Sequence, residues 1–141
     1  MNHTNNTSDE LKNGIHQEYF KNGTVACEGA YCENKKTGEW HFYLLNGQVK
    51  AKGHFDNGKM ISLWVWYREN GYLLQEGAFE NEMKIGVWKR YHPNSSLYDE
   101  GAYSQDEKIG EWKTYNIEGM LIKTRFYKSK LKVFHSPIFS S

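Results

Sequence analysis

The chain has 141 residues, the size of a single domain, and its 18 basic and 17 acidic side chains leave a net charge of +1. Mean hydropathy is −0.82 and aromatic residues make up 16% of the chain. A thick aliphatic core is therefore excluded, and so is a disordered chain; the apolar atoms lie in flat amphipathic rings suited to a thin sheet. No apolar run approaches the roughly 18 residues of a membrane helix, and the balanced charge disfavours a nucleic-acid binder.

Residues 1–10 read as a disordered lead, and the polar stretch Met1–Gly14 has no hydrophobic signal core, so a cytoplasmic location is expected. From Gly14 onward the sequence repeats itself. Trp40, Trp64, Trp88 and Trp112 are spaced 24 residues apart, with Tyr43, Tyr67, Tyr91 and Tyr115 three residues after each and Tyr19 continuing that column upstream. Four residues after the Tyr comes Gly23, Gly47, Gly71 or Gly119, with Ser95 the exception. A second glycine column holds Gly29, Gly53, Gly77 and Gly101, followed two residues later by Tyr31, Phe55, Phe79 and Tyr103. A leading glycine column holds Gly14, Gly38, Gly86 and Gly110.

One unit reads G-x-W-x-x-Y-x-x-N-G-x-Z-x-x-x-G-x-Z, with Z apolar, and each unit is expected to be a β-hairpin. The pairs Asn22-Gly23, Asn46-Gly47 and Asn70-Gly71 supply the positive φ a tight turn needs; His92-Pro93-Asn94-Ser95 replaces that turn in the fourth unit. The second glycine falls inside a strand and marks a bulge or a close approach to a neighbouring Trp. The expected fold is all-β: an elongated single-layer antiparallel sheet of about five consecutive hairpins over residues 11–134, roughly 45 Å long at about 4.8 Å per strand, with a loose tail at 135–141. His16 stands where Trp would and Phe134 where Gly would, marking the two ends.

These residues, G-x-W-x-x-Y followed by N-G and a second glycine, resemble the MORN repeat, and the 24-residue spacing is similar to the bacterial MORN-variant repeats, some of them in antitoxin-like proteins. The resemblance extends over about 120 residues and implies a β-hairpin ribbon without catalytic residues. It implies protein interaction or dimerisation as one use of the fold and lipid binding as another. Ser62, Ser95 and Arg125 depart from the pattern and put strand pairing at those points in question.

Catalytic and metal chemistry find little support. His16, His41, His54 and His92 fall in different columns, and Cys27 and Cys32, five apart, point to opposite faces of a strand, as free thiols. Glu28, Glu76 and Glu100 form a column interrupted by Lys52; neighbouring carboxylates one unit apart, at about 9.5 Å, match an inverting glycosidase pair in distance alone. No enzyme, cofactor, metal or small-molecule ligand is expected, and the Trp column is read as core.

Recognition is instead expected at positions that vary between units. Phe42, Trp66 and Arg90 follow the Trp by two residues, and Leu44, Arg68 and His92 by four, placing all six beside the Trp column on one face. They are the expected contacts for a protein partner such as a toxin or effector. Lys123, Arg125, Lys128, Lys130 and Lys132 form a basic end that is either a lysine-guarded edge strand or the contact for a membrane surface, the alternative partner.

Overall fold

The computed structural model describes residues 10–129. Ten strands follow one another: β1 Gly14–Tyr19, β2 Val25–Cys32, β3 Lys35–Tyr43, β4 Val49–Asp56, β5 Lys59–Tyr67, β6 Leu73–Glu80, β7 Met83–Tyr91, β8 Leu97–Ser104, β9 Glu107–Tyr115 and β10 Leu121–Tyr127. They form one open antiparallel sheet in sequence order, and there is no helix among the described residues. The expected all-β ribbon is thus observed. Residues 1–9 of the lead expected over 1–10, the tail at 135–141, Phe134, Lys130 and Lys132 lie outside the described residues.

Two kinds of turn alternate. After each odd strand comes a three-residue loop: Leu44 N donates to Gln48 O at 2.8 Å, and Gly47 N to Leu44 O at 2.9 Å. The glycine alone takes positive φ here, +92° at Gly47. Asn46 contributes differently from expectation, because its Oδ1 accepts from Gln48 N at 2.9 Å and braces the loop from outside. The fourth unit keeps the same loop, with Ser95 at φ 77° and Asn94 Oδ1 accepting from Ser96 N. After each even strand from β2 to β8 comes a two-residue turn with both residues at positive φ: Glu33-Asn34, Asn57-Gly58, Asn81-Glu82 and Gln105-Asp106. Each also donates one unit back, as Gly58 N does to Lys36 O at 2.9 Å, so the turns form their own ladder along one edge of the ribbon.

The core is a row of tryptophans lying on glycines. A Cβ built at Gly53 would sit 2.0 Å from the Trp64 ring, and at Gly77 and Gly101 equally close to Trp88 and Trp112; at Gly29 it would sit 2.3 Å from Trp40. The second glycine column is therefore both a close approach and a bulge, since the register shifts at each of these glycines. Each indole Nε1 donates to the carbonyl just after the glycine it covers, as Trp40 does to Ala30 at 3.0 Å and Trp64 to His54 at 3.2 Å. The rings are no more than 7% exposed although the sheet has one layer.

The departures now have physical reasons. Arg125 replaces glycine where no tryptophan follows, because position 136 is Ser. It pairs normally with Trp112. Ser62 replaces a leading glycine and is held at φ 60° while still pairing with Phe79.

At Gly38, Gly86 and Gly110 an added Cβ would meet nothing, so φ is the whole constraint in this column. Ser62→Gly is accordingly expected to stabilise the protein by about 0.5–1 kcal/mol. Gly77→Ala, which pushes a methyl into the Trp88 ring, should destabilise by about 3 kcal/mol or more. Urea unfolding of the two variants beside the parent checks both signs.

Candidate binding face

Cross-strand register sorts the side chains onto two faces. One, the ringed face, carries the tryptophans, the Tyr31–Phe55–Phe79–Tyr103–Tyr127 column, and a row running Cys27–Phe42–Ala51–Trp66–Gln75–Arg90–Asp99–Thr114–Lys123. Its rings tile edge to face, with Tyr31 on Trp40 and Phe79 on Trp88 at centroid distances of 5.2 and 5.1 Å. Phe42 and Trp66 bridge successive tryptophans, Phe42 at 6.0 Å from Trp64 and Trp66 at 5.7 Å from Trp88. Both are half-buried, one flank against the core and the other open.

Halfway along, this row changes chemistry. Arg90 grips Asp99 through Nε at 3.0 Å and Nη2 at 2.6 Å. Asp99 is 6% exposed while the guanidinium is half open to water, so the carboxylate relies on this one bidentate partner. The pair floors a niche of about 160 Å³ between Trp88 and Trp112, flanked by Lys84 and Lys108. The other three expected contacts, Leu44, Arg68 and His92, lie just beyond the strand ends in the three-residue loops. Arg68 Nη2 donates to Tyr91 O at 2.8 Å and His92 Nε2–H to Tyr115 O at 2.8 Å. These two side chains therefore tie each loop to the next unit; the sequence places them on the face, and the fold uses them as cross-links. Arg68 Nε is buried with no partner among the described residues.

On the opposite face the glutamate column is absorbed by the tyrosines. Tyr43 donates to Glu28, Tyr91 to Glu76 at 2.6 Å and Tyr115 to Glu100 at 3.0 Å, while Tyr67 lies against Lys52. The bond to Glu28 pushes the Tyr43 hydroxyl up to about 12, and holds Glu28 below the usual carboxylate value together with a bond from Gln17. Each of these three carboxylates thus accepts from a tyrosine hydroxyl of the following strand. The histidines are less scattered than their columns imply: His41 Nε2 lies 3.0 Å and His54 Nε2 3.9 Å from the two oxygens of Glu39. Among the described residues, however, no group of three could hold a metal ion. Cys27 is buried on the ringed face and Cys32 exposed, both free; burial pushes the Cys27 thiol up and keeps it protonated.

The near-zero net charge conceals a separation between the faces. Among the described strand residues of the ringed face, Lys36, Lys84, Arg90, Lys108, Lys123 and Arg125 oppose only Glu18 and Asp99. In the rows between the hairpin tips the other face carries Glu28, Glu39, Glu76, Glu100 and Glu111 against Lys52, Lys89 and Lys113. The lysines sit over the rings: Lys84 Nζ is 4.8 Å from the Trp88 centroid and Lys108 Nζ 4.6 Å from that of Trp112. Of the expected basic end, Lys123 and Arg125 lie on β10, the last of the described strands, and Lys128 just after it, all exposed.

Tyr43 gives a pH test. Its folded value lies above the 10 of a free tyrosine, so the Tyr43–Glu28 bond contributes its full stability below pH 10 and loses it as pH rises through about 12. Tyr43→Phe should therefore be less stable at neutral pH and should show a shallower fall in stability between about pH 10 and 12, measured by denaturant unfolding across that range.

Residues 12–33 and 36–57 match the MORN repeat variant family, covering the first hairpins of the ribbon. No curated protein matches the chain by sequence. Among solved structures, the crystal structure of the GtfA/B complex bound to UDP and GlcNAc is similar over 81% of this chain and 27% of its own, with a TM-score of 0.38 and 15% identity. The chain thus spans about a quarter of that protein. Two segments are thus similar to this repeat variant, and the hairpin geometry seen in them continues through all ten described strands.

Proposed function

We propose that the protein is a non-enzymatic protein-interaction module that takes its partner on the ringed face. The observation that carries this reading is the contrast between adjacent rows. Tryptophan and glycine are fixed from unit to unit because the sheet consumes them, whereas the neighbouring row changes from Phe42 and Trp66 to Arg90 and keeps one side of each group open to solvent. Half-open aromatics beside an arginine are the residue types that dominate binding energy at protein interfaces. The niche beside Arg90, at about 160 Å³, is well below the ~300 Å³ at which drug-sized ligand pockets begin.

A toxin or effector is the partner class suggested by the resemblance to bacterial MORN-variant repeats. A second reading rests on β10, where Lys123, Arg125 and Lys128 accompany Ile122 and Phe126, 61% and 73% exposed, in a strand suited to an anionic lipid surface.

Affinity capture from cells of the source organism, run in parallel with the parent, Trp66→Ala and Leu63→Ser on the opposite face, separates the possibilities. The parent and the Leu63 variant should retain a common partner. Trp66→Ala should weaken it by about 2 kcal/mol, roughly 30-fold, while remaining folded. A folded Trp66→Ala that binds as tightly as the parent would remove this face as the site. Salt-sensitive flotation with anionic vesicles, abolished by substituting Lys123 and Lys128 and indifferent to Trp66, would favour the lipid reading instead.

A further inference from the structure

The ringed face is cationic while the molecule as a whole is nearly neutral, and its cations are in a row. Lys36, Lys84 and Lys108 occupy the same position of successive units, two residues past each two-residue turn, with Met60 the one interruption. Each ammonium lies over a tryptophan of its own unit, at 5.1 Å for Lys36, 4.8 Å for Lys84 and 4.6 Å for Lys108. The main carboxylate of this face beyond β1, Asp99, is neutralised by Arg90. What remains for a partner to meet is a line of ammonium groups stepping along the ribbon once per unit.

The step has a definite length. Two strands at about 4.8 Å advance the row roughly 9.6 Å per unit. A polyproline-II chain has three residues per turn and rises about 3.1 Å per residue, so one side of it recurs every ~9.3 Å. An extended β-strand recurs on one side every ~6.8 Å, and its three-residue step turns to the opposite side. Bases of a single-stranded nucleic acid need open ring faces to stack on, and here the lysines already roof the tryptophans.

We infer that the ringed face binds an acidic polyproline-II segment of a partner protein, laid across the strands along the ribbon, with a carboxylate at every third residue meeting Lys36, Lys84 and Lys108. This rests on the reading of the face as a protein-binding surface and specifies the chemistry of what it takes. Met60 marks a unit where the partner's third residue meets a thioether instead of a charge. Phe42 and Trp66 then line the neighbouring track, against which the prolines pack.

The test uses the full chain and a labelled peptide of about five Asp-Pro-Pro triplets, a permuted peptide of the same composition with irregular Asp spacing, and an oligothymidylate. Fluorescence anisotropy at low salt should show the triplet peptide bound about tenfold more tightly than either of the others. Lys84→Gln and Lys108→Gln should each weaken it about 3- to 5-fold, the worth of an exposed ion pair. Met60→Lys, which completes the row, should strengthen it by a similar factor, a gain that a purely structural role for these lysines cannot produce. Equal affinity for the two peptides, preference for the oligonucleotide, or a Met60→Lys variant that binds no better would each overturn the inference. A captured protein partner that depends on Trp66 but is not displaced by the triplet peptide would also overturn it, while leaving the interaction-module reading intact.

Discussion

A tryptophan ring lying flat on a glycine of the preceding strand is the contact on which this molecule depends. A single-layer sheet has no second layer to shield its side chains from water, so each hairpin must be covered by the next. The indole does this in two ways: the ring fills the space a Cβ would occupy, within 2.0–2.3 Å of where that atom would be, and its N–H satisfies the adjacent carbonyl. The bulge at the glycine and the left-handed residue two positions before the tryptophan bring ring and backbone together. Where no tryptophan follows, at Arg125, glycine is no longer required.

The freedom left to function follows from that constraint. Rows that make the contact cannot change, and rows beside them can; the result is a ribbon whose side-chain chemistry changes along its length, from Phe42 and Trp66 to Arg90 and Lys123. The loops are secured by side chains as well as backbone. Arg68 and His92 reach a carbonyl one unit on, so a surface that depends on alignment between units is held in register along that edge. The opposite face spends Glu28, Glu76 and Glu100 on tyrosines, and the excess positive charge is left where the rings are.

Much of this was legible in the sequence because the repeat makes every column a comparison of four or five examples. The strands, the places of the Asn-Gly turns and the glycine beneath the tryptophan all follow from recurring residues, whereas the three-residue form of those loops, with the glycine alone at positive φ, does not. The two-residue turns do not: Glu33-Asn34, Asn81-Glu82 and Gln105-Asp106 hold positive φ without glycine, and only Asn57-Gly58 advertises the geometry. Their backbone bonds to the preceding unit, such as Glu82 N to Met60 O, are tertiary and leave no mark on local composition. The separation of charge was hidden by bulges that restart the alternation of faces within each unit, so counting by twos along the chain misplaces side chains. The meeting of His41 and His54 at Glu39 depends on the same register.

Native-state hydrogen exchange of the four indole N–H groups tests the tryptophan-on-glycine account most directly. If those rings are the interface between hairpins, the indole protons of Trp40, Trp64, Trp88 and Trp112 will exchange only through openings that also release the amides of the strands they join, with comparable protection. Indole protons that exchange freely while the flanking strand amides stay protected would show that the rings merely rest on the sheet and that something else holds the ribbon together.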